Sequence, residues 1–204
     1  MSQTTQSLTD DQYLAAVGPP LRMEVDIRVA DQTLDLEYKI KNIRNKPIYL
    51  FNVLWDWDKT GQYVASPNPV YACLKQDGLV HLAKQILPLP RNRKVELRIV
   101  PFATKVEPGQ EYGEKLELPL PLREYNPYFP FGEQSKHKLM TAQGVVFSLQ
   151  YVGEMEDLKA PPAPLPGALQ VQYPRLLGRV ETLRSNVARL AVPVNKRTDP
   201  FEEF

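Results

Sequence analysis

Two aspartates spaced i, i+2 at the end of an apolar run are the residues best suited by type to do chemistry. In NVLWDWDKTGQ, residues 52–62, Asp56 and Asp58 are followed by Lys59, Thr60 and Gly61. One carboxylate can attack phosphorus in line while a second handles protons. Asp56, Asp58 and Thr60 can also open a calcium loop. A third reading needs no chemistry. Alternate residues share a strand face, so Trp55 and Trp57 can both pack inward while the aspartates face water. Asp58-Lys59-Thr60-Gly61 is then a β-turn, with Asp first and Gly fourth.

The stretch resembles two families that phosphorylate an aspartate. These are the haloacid-dehalogenase-type phosphatases (apolar strand, then D-x-D-x-T) and the P-type ion pumps (D-K-T-G-T). The first resemblance implies Asp56 as nucleophile and Asp58 as acid/base; the second implies phosphorylation of Asp58. Context opposes both. The phosphatase motif closes the first strand of a doubly wound domain and leads towards a helix. Here hairpin signals precede it, and the proline-interrupted QYVASPNPVYA follows. Gln62 stands where the pumps carry a second threonine, and Pro67 stands where a calcium loop needs a bidentate glutamate. The expectation is a strand end with both tryptophans in the core, and an aspartyl-phosphate enzyme is the remote alternative.

Other reactive residues are few. His81 and His137 are the only histidines, which excludes a multi-histidine metal site, and no G-x-S-x-G elbow supports a serine triad. Cys73 is the only cysteine, so no internal disulfide forms and cysteine zinc motifs are excluded. No catalytic residue, metal ligand or cofactor is assigned.

The elements around these residues read as strands. LRMEVDIRV alternates Leu21, Met23, Val25, Ile27 and Val29 with charges, and LDLEYKIK alternates Leu34, Leu36, Tyr38 and Ile40 with charges. Setting Val29 opposite Leu34 pairs Arg28 with Asp35, Glu24 with Lys39 and Asp26 with Glu37, which predicts an antiparallel hairpin. IYLFNVLWDW begins apolar on both sides, as a covered central strand does. PVYACL, LVHLAKQIL, KVELRIVPFA, GVVFSLQYV and ALQVQY are further strand candidates. Glu107-Pro108-Gly109-Gln110 is a type II turn, and KLELPLPL, with Pro119 and Pro121, is an edge or an extended segment. In LLGRVETLRSNVARLAVPV a helical stripe (Leu176, Val180, Leu183, Val187, Leu190) competes with Gly178, Thr182, Ser185 and Asn186, so two short strands are expected. The fold class is mainly β: an antiparallel β-sandwich, immunoglobulin-like, spanning residues 21–194. A short helical or coil arm, with Thr9 as N-cap, occupies residues 1–20, and an acidic-aromatic tail occupies residues 195–204.

Composition narrows the partners. With 25 basic and 24 acidic residues, net charge +1, there is no electrostatic case for nucleic acid or an anionic membrane. The N-terminus lacks the basic start and apolar core of a secretory signal, and no run reaches the ~18 apolar residues of a membrane helix. A cytoplasmic location is expected.

Two features suit protein partners. EYNPYFPFGEQSKHK crowds Tyr125, Tyr128, Phe129 and Phe131 among Pro127, Pro130 and Gly132, a preorganised loop of interface-type rings. The tail NKRTDPFEEF carries Phe201 and Phe204 among acids, and in composition it is similar to the tail of bacterial single-stranded-DNA-binding proteins. KAPPAPLPG, residues 159–167, is a stiff surface loop. The expected function is a non-enzymatic protein-binding or assembly module whose aromatic-proline loop and tail contact the partner, with self-association allowed. A carbohydrate-binding or glycan-active β-sandwich is the alternative.

Overall fold

The computed structural model describes residues 21–130, 135–172 and 176–204. The proposed arm, residues 1–20, and Phe131 lie outside the described residues. The first hairpin forms as its alternation dictates: β1 (Arg22–Ala30) runs antiparallel to β2 (Thr33–Lys41), with Arg28 opposite Asp35, Glu24 opposite Lys39 and Asp26 opposite Glu37. β3 (Ile48–Val53) is buried on both faces up to Asn52. It does not continue through the tryptophans. After a break at Leu54, β4 (Trp55–Trp57) turns away to pair only with β5 (Tyr63–Ala65).

β6 (Tyr71–Leu74), β7 (Leu79–Lys84), β8 (Phe102–Val106), β9 (Glu111–Pro119) and the short β10 (Leu122–Arg123) follow. β11 (His137–Ala142), β12 (Gly144–Gly153), β13 (Glu181–Arg184) and β14 (Val192–Arg197) complete the chain. The type II turn is present, with Gln110 N donating to Glu107 O at 3.0 Å and Gly109 at φ 77°. Residues 176–197 carry two short strands, preceded by one 3-10 turn at Leu176–Gly178.

The molecule is mainly β, in several antiparallel and mixed sheets. β12 is the spine of the largest: β7 runs parallel to it, while β3 and β13 run antiparallel. β10 also lies parallel to β14. The all-antiparallel expectation is therefore corrected. Residues 85–143 separate β7 from β12, so no tight turn imposes a hairpin and a crossover is free to make a parallel pair. KVELRIVPFA is corrected too. Regular strand begins only at Phe102, because Val95 and Ile99 pack on an aromatic cluster and Leu97 is exposed.

Among the described residues β9, which ends at Pro119, is the outer strand beyond β2, a position that suits proline. Leu34, Leu36, Tyr38 and Leu116 of the three-stranded sheet β1-β2-β9 pack on Leu82, Val145, Phe147 and Leu149 of the larger sheet. The Tyr38 and Phe147 rings meet at 4.9 Å. Each such side chain contributes about 1.5–3 kcal/mol of apolar burial. One polar bridge crosses this core: Lys84 Nζ donates to Asn52 O (2.9 Å) and to Glu114, whose carboxylate also accepts from the Tyr38 hydroxyl.

Candidate functional site

The aromatic loop and the tail, separate features in sequence, meet at one end of the molecule. Asn126 sets the loop. Its Oδ1 accepts from Tyr128 N (3.0 Å) and its carbonyl from Phe129 N (2.8 Å), which turns the rings back towards the sheet. Tyr125, Tyr128 and Phe129 are buried with Leu54, Tyr71 and Leu87, and half-buried Phe201 and Phe204 pack against them. The Tyr128 hydroxyl accepts from Ile99 N at 3.0 Å, and its carbonyl from Arg93 at 2.6 Å.

The tail is tied along its length. β14 runs on to Arg197, whose guanidinium pairs with Asp199, donates to Phe129 O and lies over the Phe201 ring. The Arg197 hydrogen bond holds the Asp199 carboxyl below its ordinary range. Glu202 accepts from Arg91 N (3.0 Å) and Asn92 N (3.1 Å), and its carbonyl accepts from Asn126. Lys75 donates to Phe204 O and faces that ring.

An open cleft of about 540 Å³ lies between loop and tail, lined by Arg93, Phe129, Pro130, Arg197, Phe201 and Glu202 among others. Its floor is aromatic, with Phe129 and Phe201 ring centres 6.0 Å apart, and Arg93 lies over Phe129 at 5.8 Å. Apolar rings beside guanidinium and carboxylate groups suit an anchor side chain and a short polar rim.

Beneath the cleft Glu124, buried, accepts from Leu74 N (2.8 Å) and Arg197 N (2.6 Å) and joins β6 to β14. Burial raises its pKa, and the two N–H donors partly offset this. Sequence reasoning missed Glu124, Arg197 and Lys84. Lys84 had a signal, since it follows Val80 and Leu82 in phase on an inward face. Glu124 and Arg197 had none, because the contacts that place them, Leu74 N and Arg197 N for Glu124 and Phe129 O for Arg197, are distant in sequence.

The Asp56–Asp58 stretch is a hairpin. Gly61 N donates to Asp58 O (3.1 Å), with Gly61 at φ 79°, and Asp58 Oδ1 accepts from Thr60 N, Thr60 Oγ1 and Gln62 N. The Thr60 side-chain hydrogen bond leads in lowering the Asp58 pKa. One aspartate oxygen thus organises its own turn, and the ribbon leads to β5 rather than to a helix.

Trp55 is buried, with Nε1 donating to Val100 O at 2.7 Å. Trp57 is 43% exposed, which corrects its assignment to the core: its strand belongs to a two-stranded ribbon and not to the larger sheets. Its ring meets Trp55 edge-on at 4.8 Å. A smaller cleft of about 270 Å³ opens there, lined in part by Trp55, Asp56, Trp57, Asn68 and Tyr125.

Burial pushes the Cys73 thiol up to about 12, far from the thiolate a nucleophile needs. Burial lowers the pKa of His81, its partner across β6 and β7. Among the described residues no group of three His, Cys, Asp or Glu side chains is arranged to hold a metal ion, and no helix is long and apolar enough to cross a membrane. Comparison with protein-family models, curated proteins and solved structures yields no match.

Proposed function

We propose that this protein is a non-enzymatic protein-binding or assembly module whose contact surface is the cleft between the aromatic loop and the tail. The observation that carries the reading is the meeting of Phe129 and Phe201 at the floor of an open cleft flanked by Arg93 and Glu202. Tyr125, Tyr128 and Phe204 act from behind, as packing that holds the floor rigid. A rigid aromatic floor suits an aliphatic or aromatic anchor, and Arg93 suits a carboxylate beside it. The scaffold is read as an immunoglobulin-like β-sandwich, supported by face-to-face sheet packing and by buried Trp55 next to the central β3. A cytoplasmic location is supported by the free, buried Cys73.

The test is affinity capture with full-length protein, Phe201→Ala and Arg93→Glu, read by mass spectrometry, with folding of each variant checked by circular dichroism. A stoichiometric partner lost from both folded variants supports the reading. A partner retained by both moves the contact elsewhere.

One observation favours a second reading, a carbohydrate-binding β-sandwich. Trp57 offers an exposed indole beside Asp56, Asn68 and Tyr125, and a sugar is held by such a ring together with hydrogen-bonding groups. Titration with mono- and oligosaccharides, followed by Trp57 fluorescence, tests it. No saturable change with any sugar removes this reading.

A further inference from the structure

β1 is an edge strand among the described residues: it pairs with β2 and its outer side faces no other strand. An open row of N–H and C=O groups is a template for another strand, and proteins blunt such rows with proline, bulges, charges, above all lysine, or short length. β1 has no proline, bulge or lysine, and its charges, Arg22, Glu24, Asp26 and Arg28, are of both signs. It is nine residues long, RMEVDIRVA, with an unbroken register to β2, against a usual strand of about five to six residues. Its inward side chains Met23, Val25 and Ile27 are only half-covered, and Val29 is 44% exposed.

The wet face carries a second signal. Arg28 lies 3.5 Å from Asp35, and Arg22 lies 2.9 Å from Glu24. Asp26 stands opposite Glu37 and has no ion-pair partner among the described residues. A cation on the open side of β1 would relieve that like-charge pair.

We infer that the outer edge of β1 is the seat of a second copy of this chain, paired antiparallel about a two-fold axis at Ile27. Symmetry limits the registers, because apolar residues must stay on one face and each pair must occur twice. Centring on Val25 sets Arg22 against Arg28 and Glu24 against Asp26. Centring on Glu24, Asp26 or Arg28 sets a charge against itself. Centring on Ile27 sets Asp26 of each copy against Arg28 of the other, with Val25 against Val29 and no like pair. It fuses two three-stranded sheets into one of six. The contact is separate from the loop–tail cleft and stands without it.

Sedimentation equilibrium of the full chain over a concentration series is expected to show a species of twice the 23.3 kDa monomer mass. Asp26→Arg and Arg28→Asp are each expected to weaken the dimer by about tenfold or more, since each turns two attractive pairs repulsive. An equimolar mixture of the two variants is expected to restore it as a heterodimer, which also shows that both are folded. Under mild oxidation Ile27→Cys is expected to cross-link to itself, and Val25→Cys is not. A monomer at every concentration overturns the proposal, as does a dimer indifferent to both reversals. Concentration-independent hydrogen-exchange protection of β1 amides in a monomer also overturns it, and assigns the edge to residues 1–20 of the same chain.

Discussion

Lys84 Nζ donates to both carboxylate oxygens of Glu114, at 2.7 and 2.8 Å, and so bridges the two packed sheets from β7 to β9. Burial lowers the Lys84 pKa, and Glu114 opposes that shift. Removing one member strands the other, so Glu114→Ala is expected to cost about 3 kcal/mol in a denaturant titration. The double change Lys84→Met with Glu114→Leu is expected to recover most of it, since a buried pair is nearly matched by apolar packing. A double variant as unstable as the single one would refute this account.

Stability is expected to fall from about pH 9 upward, where unfolded thiols and then phenols begin to ionise. Burial raises Cys73 and Tyr112 to about 12 each, and raises Tyr38 and Tyr71 as well. The fold holds these groups neutral. Their contribution is whole below the ordinary values, 9.0 for the thiol and 10.0 for the phenols, and is lost as pH climbs to the folded values. Melting temperature against pH reads this, and Cys73→Ala should move the onset towards pH 10.

Glu124 is expected to behave oppositely to most carboxylates. Its folded pKa lies above the ordinary 4.5, so its contribution is whole below that value and is lost as pH rises through the folded pKa. Glu124→Gln should remove this slope from a melting curve series in mild acid. Glu124→Ala leaves two buried N–H groups without an acceptor and is expected to cost about 2–4 kcal/mol.

The tryptophans are expected to separate in fluorescence. Trp57→Phe should leave a blue-shifted emission from buried Trp55 that resists acrylamide. Trp55→Phe should leave a red-shifted, readily quenched emission. Equal quenching in the two variants would contradict the exposure difference.

Phe201 is half-buried on Phe129, so Phe201→Ala is expected to cost about 2 kcal/mol, less than the range for a fully buried ring. Limited proteolysis should then cut within residues 198–204 faster than in the parent protein. An unchanged cleavage rate would mean that Arg197, Glu202 and Lys75 hold the tail without the ring.

The first hairpin was legible because its information is local: a period of two and complementary charges set Arg28 against Asp35 without reference to the rest of the chain. The Asp58 turn and the edge position of β9 were legible for the same reason. The pairing of β7 with β12 was not, since no local pattern states which distant strand will lie alongside or in which direction. Trp57 shows the limit of periodicity. Alternation put it on the side of Trp55, but cover depends on what packs over that side, and Trp57 stays 43% exposed on its two-stranded ribbon. The loop and the tail were each recognisable from composition, whereas their meeting depends on Asn126, Glu202 and Arg197, whose partners lie far away in sequence.

The spine β12 also governs the order in which this chain can be completed. Leu50 pairs with Tyr151 and Val80 with Val145, so β3 and β7 wait for residues synthesised long after them. Until β12 leaves the ribosome, β3 and β7 can pair only with β8 and β6, and the inner face of the first hairpin lacks the cover that Val145, Phe147 and Leu149 supply. Contacts of such sequence separation slow folding and lengthen the exposure of sticky intermediates. Nascent chains stalled before residue 144 are therefore expected to engage chaperones, and chains stalled well beyond Gly153 to release them.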